Sequence, residues 1–143
     1  MRAERPWHVP VAGWLAVAWM ALGALDYSLM QLRVPAYLAL FPDEQVVFAE
    51  GLPGWADGLW AVGVWAGLLG ALFLALDIRR SAAVLGLAAL AMLLAALYMI
   101  FLASPTIQEA AGEQAFWLLV AATGVSILLW IYARALHAAG AIS

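Results

Sequence analysis

The chain contains no cysteine and no lysine, and only 10% of its 143 residues are charged. Without cysteine it can form no disulfide, thiolate metal site or iron–sulfur cluster, and it has no cysteine nucleophile. Soluble domains carry roughly 25% charged residues, so these few charges cannot cover the surface of a protein of this size. A water-soluble monomer is therefore excluded. Intrinsic disorder is excluded as well, because it requires low hydrophobicity and high net charge.

Hydrophobic residues, in contrast, make up 68% of the chain, and the mean hydropathy is +0.99. They form four apolar runs, each longer than the roughly 18 residues that a membrane-spanning helix needs. No run alternates strictly between polar and apolar residues, as the strands of a membrane β-barrel do. We predict an all-α, integral membrane four-helix bundle in which residues 1–143 form a single membrane domain. The predicted spans are approximately 9–32, 55–76, 82–103 and 114–136.

The arginines are distributed unevenly between the two sides of a four-span layout. One side carries Arg33 together with most of the acidic residues. Because positively charged loops stay in the cytoplasm, the other side is expected to be cytoplasmic. We therefore predict a multi-pass protein of the bacterial inner (cytoplasmic) membrane with both termini in the cytoplasm. The arginines on the predicted cytoplasmic side are Arg2, Arg5, Arg79, Arg80 and Arg134.

The segments between the spans carry signals of their own. The run from Asp77 to Ser81 is short enough to be a tight turn, which makes the second and third spans neighbours. Proline at 42 and two acidic residues after it favour a helix start, and we predict a short helix over 42–50 on the extracytoplasmic surface. The pattern Thr106-x-x-Glu109 has the form of a capping box, so the fourth helix is expected to begin near Thr106.

Small residues repeat at helical spacing in the second and third spans. Such ridges allow helix backbones to approach closely in lipid. Packing within the chain and a contact between subunits both fit the pattern. The residues concerned are Gly63, Gly67 and Gly70 in the second span, and Ala82 and Gly86 in the third.

Asp26 is the most informative polar residue because it lies inside the first span. Ionisable residues within a span are energetically costly and usually face protein or water. Two interpretations of Asp26 remain open. It is a proton, cation or ligand site, or it is a structural residue that forms a polar tie between helices or reaches a water-filled outer mouth. Counting depth along antiparallel helices places Trp60, Tyr98 and Trp117 in the same layer, and Tyr98 is the predicted hydrogen-bond partner. The candidate polar or ligand site is Asp26, Tyr27, Trp60, Tyr98 and Trp117.

Other constellations indicate no further chemistry. His8 and His137 lie near the same side of the membrane but have no ligand set around them. Glu109 and Glu113 share a helix face, which is typical of a solvated acidic rim. We expect no catalytic residues, no metal, no cofactor and no nucleic-acid partner.

Three motifs resemble those of a bacterial family of small four-span membrane proteins. They are Asp26-Tyr27, the turn Phe41-Pro42-Asp43-Glu44-Gln45 and the run from Gly54 to Gly67. The family is uncharacterised and sometimes carries a loose "sugar transporter" label. In size and four-helix layout alone the chain is also similar to the DoxX-like group. The resemblance covers most of the chain and implies the four-span fold, but it attaches no chemistry to these residues.

Two functions remain open from the sequence. The first is a non-enzymatic accessory or scaffolding subunit of a larger membrane complex, with the lipid bilayer and a membrane-protein partner, or a homo-oligomer, around it. The alternative is a small-solute transporter or ligand-binding membrane protein that uses Asp26 and acts as an oligomer.

Overall fold

A computed structural model describes residues 4–142, and it is helical throughout its four long elements. The first span is α1, His8–Gln31, followed by the short helices α2, Pro35–Leu38, and α3, Asp43–Glu50. The second span is α4, Gly54–Ala75. The third is α5, Ser81–Leu97, which continues as a π-helical turn over Tyr98–Leu102. The fourth is α6, Ile107–Ala138.

The predicted all-α four-helix membrane bundle is confirmed. All four long helices are apolar and long enough to cross a membrane, and three of them begin and end within a residue or two of the predicted spans. The fourth begins earlier, at Ile107, because Thr106 and Glu109 form the expected capping box. Gly112 has φ 84° and interrupts this helix, which separates its first turns from the apolar part predicted to begin at Gln114. Short helix α3 also forms as predicted, with Pro42 preceding it.

The helices pack in chain order. α1 packs on α4, α4 on α5 and α5 on α6, while α3 packs on α6 and contacts α1. Sparse backbone contact between α1 and α6 leaves a gap on one side of the bundle. Near one end, His8 Nδ1 and Tyr132 Oη close this gap with a hydrogen bond of 2.7 Å. The bundle is therefore tied between α1 and α6 at that end and opens toward the other.

The two ends of the bundle differ in charge. The first, here called the arginine-rich end, carries Arg5, Arg79, Arg80 and Arg134. At this end Arg5 Nη2 donates to the carbonyls of Leu74 and Ala75, each at 2.9 Å. These bonds cap the last turn of α4, where the Leu74 carbonyl also accepts from the Asp77 N–H at 3.3 Å. The second, the acidic end, carries Arg33 and the acidic residues Asp43, Glu44, Glu50, Asp57, Glu109 and Glu113. Arg2 lies outside the described residues.

Glycines set the closest helix contacts. A Cβ at Gly63 would lie 3.3 Å from Met92 of α5, and one at Gly70 would lie 2.7 Å from Leu85 of the same helix. A Cβ at Gly67 would meet Met20 Sδ of α1 at 2.8 Å. On the other side of the third span, a Cβ at Gly86 would lie 2.8 Å from Trp130 Nε1 of α6. Ala82 of the same span packs against the neighbouring cluster of buried apolar residues.

Candidate ligand cavity

A cavity of about 450 Å³ lies in the half of the bundle that is nearer the acidic end. All four spans and α3 contribute to its wall, and α3 contacts both α1 and α6. Its volume falls in the range of about 300–1,000 Å³ that is usual for small-molecule sites. The principal lining residues are Met20, Gly23 and Asp26 of α1, Phe48 of α3, Trp60 and Val64 of α4, Met92 and Met99 of the third span, and Ala115, Leu119, Ala122 and Ser126 of α6.

The cavity wall is mostly apolar, and it contains few polar groups. Asp26 is the only charged residue among the described residues that line it. Gln45 and Trp60 add an amide and an indole, and Ser126 adds a hydroxyl. A mainly apolar pocket with a few convergent polar groups is the usual form of a binding site for a small molecule.

The side chain of Asp26 is positioned by a hydrogen bond from a tyrosine that lies outside the spans. Helix α2 folds back over the end of α1, and Tyr37 Oη of α2 donates a hydrogen bond to Asp26 Oδ1. Desolvation by burial, together with the hydrogen bond and charge of Asp26, raises the pKa of Tyr37 above its ordinary value of 10.0. The phenol therefore stays protonated and continues to donate at neutral pH.

The hydrogen-bond partner of Asp26 thus differs from the predicted one. Counting depth along the spans selected Tyr98, but the ring of Tyr98 packs edge-on against Trp55, with centroids 4.8 Å apart. The count considered only residues inside spans, whereas the phenol that reaches Asp26 belongs to the segment between two spans. Pro35 at the start of α2 was a visible signal of this helix, but nothing in the sequence shows that it folds back.

The remaining predicted site residues are divided between the cavity and its surroundings. Trp60 lines the cavity, and Tyr27 packs edge-on against it with ring centroids 4.9 Å apart. Tyr27 Oη donates to Asp57 Oδ2 at 3.3 Å, and Gln31 Nε2 donates to Asp57 Oδ1 at 2.6 Å. These bonds tie α1 to α4 beside the cavity. Trp117 is 61% exposed and packs against Phe116.

Ser126 is a cavity residue that the sequence did not single out. Its side chain is 2% exposed, and its Oγ is buried without a hydrogen-bond partner among the described residues. The hydroxyls of two other residues in the spans bond to the carbonyl four residues earlier, Ser28 to Ala24 at 2.7 Å and Thr123 to Leu119 at 2.8 Å. Ser126 lines the cavity farther along α6 than any of that helix's other lining residues. It therefore offers a donor and an acceptor at the deep end.

The cavity opens sideways, along the seam between α1 and α6. Three residues that line it are also exposed on the outer face of the bundle: Trp19 is 40% exposed, Leu22 is 65% and Leu118 is 59%. In a membrane this face contacts lipid chains. A molecule dissolved in the bilayer can therefore reach the cavity without crossing the polar loops.

Glu109 and His8 do not line the cavity, and each has a structural partner. Glu109 takes part in the capping box of α6, and His8 is bonded to Tyr132. Within residues 4–142, no group of three or more histidine and acidic side chains could hold a metal ion.

Comparison with known proteins adds no relative to these observations. No family model matches the chain, and no curated protein or solved structure matches it. The resemblance to the small four-span bacterial family therefore stays a prediction.

Proposed function

We propose that this protein is a non-enzymatic membrane protein that binds a lipid-soluble molecule in the cavity between α1 and α6. The observation that carries the proposal is the cavity itself, which is apolar, built from all four spans and open toward the lipid-facing seam. A molecule that fills this space would make packing contacts with its apolar lining residues, and these contacts favour binding.

The unpartnered hydroxyl of Ser126 supports the same proposal. A buried polar atom without a partner is destabilising by about 1–3 kcal/mol. In a mainly apolar cavity a bound molecule with one hydrogen-bonding group would satisfy it. The Ser126 hydroxyl therefore favours a ligand-binding role for the cavity, whereas Asp26 by itself is also compatible with a purely structural tie between helices.

We further propose that the protein lies in the bacterial inner membrane with the arginine-rich end in the cytoplasm. The unequal distribution of arginines supports this orientation. The cavity would then lie in the half of the bilayer that faces away from the cytoplasm.

Photolabelling tests the binding function. The protein is reconstituted in phosphatidylcholine vesicles with a long-chain alcohol that carries a photoreactive diazirine on its chain, and labelled peptides are located by mass spectrometry. We expect saturable labelling around the cavity, and competition by the unmodified alcohol. Non-saturable labelling spread over the exposed faces of the helices would refute the proposal.

Two neighbouring alanines of α6 supply a matched pair of variants for this assay. Ala122 lines the cavity, whereas Ala121 is exposed and does not. Ala122→Phe should fill the cavity and abolish saturable labelling, while Ala121→Phe should leave it unchanged. Equal labelling of both variants would contradict binding in the cavity. Purification of the native protein with a defined set of other chains would instead favour the accessory subunit expected from sequence.

A further inference from the structure

The charge around the cavity selects the kind of head group that a bound molecule carries. Asp26 is the only charged residue among the described lining residues, and it stands on the side of the cavity nearest the acidic end. A carboxylate offers about four lone-pair sites, and the described contacts use one of its oxygens, Oδ1, for Tyr37. Oxygen Oδ2 therefore remains able to accept from a ligand.

The neighbouring charges do not neutralise Asp26. Arg33 is the only arginine at the acidic end, and its Nε pairs with Glu50 Oε1 at 2.9 Å. The other charged residues at this end are acidic. The electrostatic potential at the mouth of the cavity is therefore negative, which attracts cations and repels anions.

Building on the proposed binding function, we propose that the cavity takes amphiphiles with a cationic head group, an amine or quaternary ammonium, and excludes those with an anionic one. The cationic head group lies beside Asp26, and the apolar chain fills the space between α1 and α6. An uncharged alcohol occupies the same space with its hydroxyl at Ser126, so the two kinds of molecule compete. An anionic phosphate, sulfonate or carboxylate head would find no cation to pair with among the described lining residues. It would also face the charge of Asp26 at close range, where the low dielectric of the membrane strengthens repulsion.

Three molecules with one chain length and different heads test this selectivity. The photoreactive alcohol described above serves as the neutral probe, in vesicles of phosphatidylcholine that carry no net charge. Hexadecyltrimethylammonium and hexadecyl sulfonate compete with it at equal mole fractions in the membrane. Both charges are permanent, so the charge of neither competitor changes with pH. We expect the ammonium compound to compete at a concentration about tenfold lower than the sulfonate, because Asp26 attracts the cationic head group and repels the anionic one. The trimethylammonium group has no N–H, so its contact with Asp26 is an ion pair and not a hydrogen bond.

Variants separate the role of Asp26 from that of the general acidic field. Asp26→Asn should retain the alcohol probe, because an amide oxygen still accepts from Tyr37, but should reduce the preference for the ammonium compound to near one. Asp26→Glu should keep the preference. Glu113→Gln, which removes an exposed charge of the acidic end outside the cavity, should also keep it. Thermal unfolding of each variant checks that the bundle is folded.

The outcomes distinguish the two proposals. If the alcohol probe is not bound saturably by the wild-type protein, the proposed binding function itself fails. If the probe binds but both charged compounds compete equally, or if Asp26→Asn retains the full preference, only the selection of cationic head groups is wrong. Stronger competition by the sulfonate would overturn it outright.

Discussion

The bond between Tyr37 and Asp26 joins two residues that are 11 positions apart, and it positions the one charged side chain among the described residues that line the cavity. The sequence correctly indicates that a carboxylate within a span needs a polar neighbour. It does not indicate which neighbour, because α2 has four residues and its direction depends on how α3 packs. Tertiary contacts of short connecting helices have no periodic signal in the sequence.

Removing the phenol tests this bond. Tyr37→Phe should lower the free energy of unfolding in mild detergent by about 1 kcal/mol, because a half-buried hydrogen bond to a carboxylate is lost. Tyr98→Phe is the matched control, since the ring of Tyr98 contacts Trp55 and that contact is kept. Equal melting temperatures for both variants would show that the Tyr37 bond does not stabilise the fold.

Tyr37→Phe also tests how the stability contributed by this bond depends on pH. The pKa of Tyr37 is raised by burial and by Asp26 above its ordinary value of 10.0, so the folded protein favours the protonated phenol. The contribution to stability is then fully present below about pH 10 and is lost as the pH rises through the raised value. The difference in stability between wild type and Tyr37→Phe should stay constant from neutral pH to about pH 10, and it should shrink only above that. A difference that disappears near pH 8 would contradict the raised pKa.

Substitution of Ser126 tests whether its hydroxyl contacts a ligand or only stabilises the fold. Ser126→Ala removes a buried polar atom that has no described partner, so the free energy of unfolding should stay unchanged or rise slightly. Binding of the photoreactive alcohol should weaken about three- to tenfold, the value of one neutral hydrogen bond. Thr123→Ala is the control, because Thr123 bonds to the carbonyl of Leu119 and lies outside the cavity. Loss of stability without loss of binding in Ser126→Ala would assign the hydroxyl to the fold alone.

At the scale of helices, small residues decide which faces meet. The spacing of Gly63, Gly67 and Gly70 was visible in the sequence, and the structure places all three against α1 or α5. The closest approach to a backbone atom was not singled out: a Cβ at Gly13 of α1 would lie 2.7 Å from the Cα of Ala75 in α4. A single glycine has no repeat to reveal it. Its role depends on the crossing point of two helices, which the sequence does not specify.

Substitution of Gly13 tests that crossing point. Gly13→Ala should lower the free energy of unfolding by about 1–3 kcal/mol, because its Cβ would meet backbone atoms of α4 that cannot rotate away. Gly67→Ala should be milder, since the atom it meets is the flexible end of Met20. Gly124→Ala in α6 is the control, with no atom within 4 Å of the added Cβ. It should stabilise the helix by roughly 0.5–1 kcal/mol. Thermal unfolding in one detergent ranks the three, and a Gly13 variant as stable as Gly124→Ala would refute the close contact.

At the scale of the whole molecule, the four spans and their ends were predictable because length and hydropathy determine them, and these are local properties of the chain. The cavity was not predictable. It exists because α1 and α6 are tied by His8 and Tyr132 near one end and held apart toward the other, where α3 lies across the gap. Such a gap depends on how far apart α1 and α6 lie at each end of the bundle. This separation results from the packing of several helices, so no single segment of the sequence encodes it.

Orientation in the membrane is the property of the whole molecule on which the proposed site depends. The chain has no cysteine, so single cysteines can be introduced without a background. Glu44 of α3 and Ala139 after α6 are both exposed, at the acidic and the arginine-rich ends respectively. In intact bacterial spheroplasts, a membrane-impermeant maleimide should label Glu44→Cys and should label Ala139→Cys only after the membrane is permeabilised. This follows because loops rich in arginine are retained in the cytoplasm.

Labelling of Ala139→Cys alone in intact spheroplasts would reverse the orientation and place the mouth of the cavity near the cytoplasm. Labelling of both in intact spheroplasts would be incompatible with the even number of spans in this fold.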